Sequence, residues 1–352
     1  MSSTIWNPID LGEIRLDHRL AMAPMTRGRA TAKGAPTAMN ATYYAQRATM
    51  ARIITEGTQP SEDGQGYLLT PGIYTEEHIA GWRLVTDAVH RAGGCIVIQL
   101  MHAGRIAHPL NRPHGRQPVA PSAVRPSGVM VTQNGAREMP TPRALTKAEV
   151  AQTVDDHRRA AAAAIEAGAD GVEIHAANGY LLHQFLSSNV NLRSDDYGGT
   201  IANRIRFAVE VATAVADEIG AGRTGIVISP GNTFNDIVED DTDELYVALV
   251  KQLAPLGLAY LHVGHGDDER LIEQLRHEWS GPLVLNRSGV DIELRIKDIE
   301  NGLADVVTVG TQVLANADLV ERVKMGAAFN KPDRTTFYGG GERGYIDYPT
   351  LN

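Results

Sequence analysis

From about residue 20 almost to the end of the chain, short runs of aliphatic and β-branched residues alternate with longer stretches whose apolar positions recur at helical spacing. The apolar runs predict eight strands, over residues 20–25, 52–55, 95–100, 171–175, 224–229, 259–263, 282–285 and 305–309. Helical spacing predicts helices that include 147–167, 203–219, 242–254, 269–279, 292–301 and 318–323, several introduced by a Thr or Asp able to cap the first free N–H groups. Strands that are apolar throughout must be covered on both faces, and intervening helices supply that cover. Eight such units imply an α/β fold that closes as a (β/α)8 TIM barrel, with a doubly wound sheet as the alternative. No linker interrupts the alternation, so residues 1–352 read as a single domain. Residues 101–146, rich in Pro, Arg and Gly, form a long lid-like loop after the third strand, and 187–199 a shorter irregular stretch after the fourth.

Composition narrows the function classes. With 352 residues, 43% of them hydrophobic, the chain buries a substantial core, and Lys+Arg at 33 against Asp+Glu at 42 gives a net charge of -9. That balance argues against nucleic acid as a partner. The lone Cys95 excludes an internal disulfide and a cysteine-based zinc cluster. The first residues carry no basic segment followed by an apolar core, and no run approaches the roughly 20 apolar residues of a membrane span. The expectation is a cytoplasmic protein that handles a small molecule, away from membranes, as a monomer or homodimer.

In such barrels the loops after the strands build the active site. Polar residues gather there: Ala23-Pro-Met-Thr-Arg27 after the first strand, Thr55-Glu-Gly-Thr-Gln59 after the second, Gln99-Leu-Met-His-Ala-Gly-Arg105 around the third, Glu173-Ile-His-Ala-Ala-Asn-Gly-Tyr180 around the fourth. Asn286-Arg-Ser-Gly289 and Val309-Gly-Thr311 supply small residues where barrels bind phosphate. His175, Asn178 and Tyr180 form the strongest cluster. An imidazole and an amide can converge on one oxygen while a phenol, neutral at physiological pH, donates a proton. The same His and Asn could instead satisfy backbone groups in a sharp turn.

These residues resemble the old yellow enzyme family of FMN-dependent ene-reductases. The likeness rests on Ala23-Pro-Met-Thr-Arg-Gly-Arg-Ala30, Ile54-Thr-Glu-Gly-Thr-Gln59, Gln99-Leu-Met-His-Ala-Gly-Arg-Ile106, His175-Ala-Ala-Asn-Gly-Tyr-Leu-Leu-His-Gln-Phe-Leu186, Asp196-Tyr-Gly-Gly199, Ala315-Asn-Ala-Asp-Leu-Val320 and Gly344-Tyr-Ile-Asp-Tyr-Pro349. It implies an FMN site built by Pro24, Met25, Thr26, Gly57 and Gln99 around the ring, and by Ser288, Gly289, Gly310 and Thr311 at the phosphate. It also implies NADPH or NADH as reductant. His175 and Asn178 would hold the carbonyl or nitro oxygen of an activated alkene, Tyr180 would protonate the carbon, and Tyr67, Met101, Phe337 and Tyr338 would line the substrate pocket.

Two positions depart from the family, and each removes a positive charge. Val227 stands where an Arg usually faces flavin N1, and Thr311 where an Arg usually meets the phosphate. Charge-assisted hydrogen bonds contribute roughly 1.5 to 3 kcal/mol each, so losing both weakens FMN binding by several powers of ten unless something compensates. Arg287 is a candidate replacement at the phosphate, with a surface cation as the plainer reading. The departures support a second hypothesis, a repurposed non-redox barrel acting as isomerase, cyclase or lyase on an enone-type substrate. Met101, often Trp in the family, would soften one pocket wall.

Other motifs carry less. Gly339-Gly-Gly-Glu-Arg-Gly344 lacks the βαβ setting of a dinucleotide fingerprint. His102, His108 and His114 recur at a spacing that suits no usual metal site. His183 reads as a packing or capping residue, and Gly264-His-Gly-Asp-Asp268 as a solvated turn. Glu56 and Glu173 can serve either neighbouring loops or catalysis.

Overall fold

A computed structural model describes residues 4–264 and 268–351, so most of the 264–268 turn lies outside the described residues. Eight parallel strands close a barrel: β1 Leu20–Met22, β2 Ile53–Ile54, β3 Ile96–Leu100, β4 Gly171–Ala176, β5 Thr224–Ile228, β6 Tyr260–Gly264, β7 Leu283–Asn286 and β8 Val306–Val309. Closure comes from β8 pairing with β1, Val307 beside Leu20 and Val309 beside Met22. The (β/α)8 barrel is therefore the fold, and every predicted strand is present. β1 is shorter than its apolar run because Pro24 has no N–H to donate and the chain turns out of the ladder there.

Ten helices surround the strands: α1 Ala38–Ala45, α2 Glu76–Arg91, α3 Lys147–Glu166, α4 Leu181–Leu186, α5 Ile201–Ile219, α6 Thr242–Leu253, α7 Glu269–Glu278, α8 Ile292–Glu300, α9 Thr311–Ala315 and α10 Leu319–Met325, among the described residues. Thr75, Thr146, Thr200 and Asp268 cap α2, α3, α5 and α7 through their side-chain oxygens, as the Thr and Asp signals imply. The small residues Ala160, Ala161 and Ala164 are sealed on the inner face of α3. Among the described residues no helix is long and apolar enough to cross a membrane.

The barrel floor is closed by an N-terminal hairpin, Ile9–Leu11 against Ile14–Leu16, whose Leu11 and Leu16 pack on Ala21, Tyr260, Val284 and Val306. The Arg52 guanidinium stacks 4.0 Å over the Tyr260 ring in this sealed layer. Gly225 makes room for that ring: a Cβ there would lie 2.1 Å from its Cζ atom.

Residues 101–146 are built rather than featureless. Val119–Ala120 pairs with Arg143–Ala144, and Val129–Thr132 forms an antiparallel hairpin with Gly135–Glu138. Met130 of this hairpin packs with Met101, Ala103, Ile106, Met139 and Tyr180 in a cluster separate from the main core, above the C-terminal ends of the strands.

Candidate active site

His175 and Asn178 stand at the end of β4, where the strand breaks into a tight turn. Asn178 has φ 52° and Gly179 φ 74°, left-handed conformations that Asn and Gly adopt most readily. His183 holds the turn, its Nδ1 accepting the Gly179 N–H at 2.9 Å while Nε2 pairs with Glu239 at 2.8 Å. It therefore serves as the anchor its position suggested.

The turn sets the chemistry of both donors. His175 Nδ1 accepts the Ala177 N–H at 3.3 Å, so the ring proton sits on Nε2. Burial pushes its pKa down to about 4, against the opposing pull of Glu173, so the ring is neutral at physiological pH. Asn178 Oδ1 accepts from Asn232 Nδ2 at 2.9 Å, which leaves the Asn178 amide N–H groups as donors, while its backbone N–H bonds to Ser229 Oγ at 2.8 Å. Tyr180 lies against the His175 ring, centroids 5.1 Å apart, and its hydroxyl meets Tyr67 at 3.0 Å. Burial, with Tyr67 beside it, holds its pKa well above the ordinary tyrosine value, so it retains its proton.

His175, Asn178 and Tyr180 line a cavity of about 290 Å³ together with Pro24, Met25, Thr26, Gly57, Gln99, Met101 and Val227. Gly57 is needed for the packing: a Cβ there would lie 2.6 Å from Met101 Sδ. Beneath, Gln99 Nε2 donates to Glu173 Oε1 at 2.8 Å, and His262 Nδ1 meets Glu173 Oε2 at 2.9 Å. Burial acts to raise the Glu173 pKa, but His262, Gln99 and Arg52 together bring it below the usual value, so a carboxylate anchors this layer. Met25, Asn286 and Ser288 also line a second cavity of about 250 Å³, with Gly289, Arg295, Gly310, Thr311 and Arg334. The two form a trough across the mouth of the barrel, within reach of the size of a cofactor site.

The chain matches the sequence profile of the NADH:flavin oxidoreductase / NADH oxidase family over residues 4–330. It belongs to that family. A probable flavin mononucleotide-dependent alkene reductase of Leishmania infantum is 44% identical over 353 residues, 98% of this chain and 96% of that protein. A putative 12-oxophytodienoate reductase 5 of Oryza sativa subsp. japonica is 43% identical, covering 97% of this chain and 93% of the relative. Morphinone reductase in complex with tetrahydroNAD superposes with a TM-score of 0.96 at 41% identity, over 100% of this chain and 98% of that one.

Within this NADH:flavin oxidoreductase, the structure brings most of the expected site together. His175, Asn178, Tyr180 and the five ring-side positions share the first cavity, while Ser288, Gly289, Gly310 and Thr311 share the second. Tyr67 reaches the site through Tyr180. Of the other two expected pocket aromatics, Phe337 packs in the main core and Tyr338 is 69% exposed. Val227 faces the first cavity between His175 and His262 in the strand register, so no cation occupies that position. Arg287 turns away to Glu269 and Asp298.

Glu56 supports the β1 loop, accepting the N–H groups of Arg27 and Gly28 at 3.0 and 2.9 Å. The three loop histidines do separate jobs: His102 and His108 accept local N–H groups, and His114 pairs with Glu62. Three participants escaped the sequence reading: Asn232, His262 and Arg295. Asn232 follows β5, the signal that finds strand-end chemistry in barrels, whereas His262 lies within β6 and carries no such signal. Arg295 sits on a helix and offers no such signal.

Proposed function

We propose that this chain is an FMN-dependent ene-reductase that reduces the C=C bond of activated alkenes such as enones, enals and nitroalkenes, with NADPH or NADH as reductant. The residues fit the cofactor. Thr26 offers a hydroxyl, Gln99 keeps its Oε1 as an acceptor because Glu173 engages its nitrogen, and Gly57 keeps the adjoining wall low. When bound, reduced FMN supplies the hydride.

The chain's own groups do the rest. The His175 Nε2–H and the Asn178 amide N–H hold the substrate oxygen and stabilise the negative charge that grows there. Both are neutral donors, so they hydrogen-bond without quenching the developing enolate by outright protonation. Tyr180 then delivers its proton to the α carbon, with Tyr67 as the hydrogen-bond partner of the phenol. Met101, with Met130 behind it, forms an adaptable wall that suits substrates of varied shape.

One observation carries this reading: the tautomer of His175 and the orientation of Asn178 are both set by neighbours so that two N–H donors serve one cavity. The alternative, a flavin-free isomerase or cyclase, is not favoured, since the family and its close relatives are flavin reductases. Flavin released by heating the purified protein should be FMN, and NADPH should be consumed in step with loss of cyclohexenone. Protein without flavin that takes up no added FMN, or that is inert to every activated alkene tried, contradicts the proposal.

A further inference from the structure

The second cavity raises a question of charge. A phosphate monoester carries close to two negative charges, and Thr311 offers only a hydroxyl and an N–H. Arg287, the cation nearest in sequence, is engaged by Glu269 and Asp298. Arg295, on α8, lines the cavity beside Ser288, Gly289, Gly310 and Thr311 and is only 5% exposed. Its Nε donates to the Val290 carbonyl at 3.0 Å, and its Nη1 to the Thr308 carbonyl at 2.6 Å and Asn286 Oδ1 at 3.1 Å.

Every one of those acceptors is neutral. Among the described residues no carboxylate pairs with Arg295, and its Nη2 has no partner. A buried guanidinium to which no carboxylate is bonded is costly, and an anion that bonds its free nitrogen completes it. Burial lowers its pKa to about 10; Asp298, and less strongly the exposed Asp291 that also lines this cavity, act against that fall without bonding the guanidinium. The fixed stem matters too. Three bonds from two nitrogens hold the fork in place, so little freedom is lost when an anion arrives.

We infer that Arg295, reaching from α8, supplies the cation for the FMN phosphate that Thr311 does not provide. The inference rests on the FMN reading above and assigns the phosphate charge to a residue outside the β8 loop. Arg334 also lines the cavity but is exposed and lies on a one-turn helix, Arg334–Thr336. Its charge faces water and contributes little.

The test is the difference between FMN and riboflavin, which share the ring and ribityl chain and differ by the phosphate. Full-length protein stripped of flavin is titrated with each, following quenching of flavin fluorescence. Arg295→Met should weaken FMN binding roughly 10- to 100-fold while riboflavin binding stays within about twofold. Arg334→Gln should change neither by more than about twofold. Because Arg295 also ties α8 to β8, a second variant guards against misfolding. Adding Thr311→Arg to Arg295→Met should restore the preference for FMN.

Equal weakening of both flavins in the folded single variant would overturn the inference, as would an FMN preference that survives Arg295→Met or is lost instead in Arg334→Gln. A double variant that binds riboflavin but regains no FMN preference also counts against it. A wild-type chain that takes up neither flavin overturns the FMN reading and the inference with it.

Discussion

At the scale of single residues, the site depends less on which groups are present than on which way they are turned. His175 could carry its proton on either nitrogen, and the Ala177 N–H selects Nε2. Asn178 could present either end of its amide, and Asn232 selects the N–H end. Replacing Asn232 with Ala should let that amide turn, lowering kcat roughly 10-fold with FMN content and the pH profile unchanged. A variant that loses flavin instead would mean that Asn232 supports the cofactor site. His175, Asn178 and Tyr180 were legible in the chain because one turn after one strand holds them all. Asn232 was not, because it arrives from the loop after β5 and only folding brings it to Asn178. Arg287 is the cation next to the phosphate loop in sequence, and its ion pairs with Glu269 and Asp298 show why a cation near in sequence need not be near in function.

At the scale of elements, the eight strands could be read because both their faces are buried, which makes them continuous apolar runs. The segment 101–146 could not be read so well. Its strands are two to four residues long, and one pair, Val119–Ala120 with Arg143–Ala144, joins residues far apart in the chain. One local signal was available there: Gly135, which follows the two-residue loop Gln133-Asn134 and takes the left-handed backbone (φ 85°) that glycine adopts freely. Gly225 shows the opposite case, an element that looks ordinary in sequence and is sterically constrained in the barrel. Gly225→Ala puts a methyl group into the Tyr260 ring and should cost about 1 to 3 kcal/mol of stability, seen as a lower thermal midpoint. An unchanged midpoint would mean that Tyr260 and Arg52 can move aside, and that the barrel floor is looser than its packing implies.

At the scale of the whole molecule, the fold keeps several histidines neutral by burying them. Burial is the largest influence on His18, His78, His102, His157 and His175, and each has a pKa below the ordinary 6.5, His175 at about 4. The unfolded chain therefore takes up protons first as pH falls, and stability that is intact above about pH 6.5 is lost progressively toward pH 4. Thermal midpoints recorded from about pH 7.5 down to about pH 4.5 should fall, with net proton uptake on unfolding. A midpoint that holds constant across that window would mean these rings are solvated or paired in the folded state. Family membership and barrel architecture were both within reach of the sequence, because the motifs that carry the resemblance sit at strand ends in chain order. The joining of two cavities into one trough belongs only to the closed barrel, where β8 returns beside β1 and brings β7 next to it.

In the proposed reaction FMN and Tyr180 together reduce an activated alkene. Its most direct test is an anaerobic sequence of two mixings: holoenzyme with one equivalent of NADPH, then cyclohexenone, following flavin absorbance throughout. The yellow colour should bleach in the first step and return in the second, with saturated cyclohexanone formed in equal amount. In Tyr180→Phe the first step should keep its rate and the second should slow by roughly 100-fold or more. A flavin that bleaches but is not reoxidised by any enone, or a Tyr180→Phe enzyme whose second step is as fast as wild type, would contradict the account.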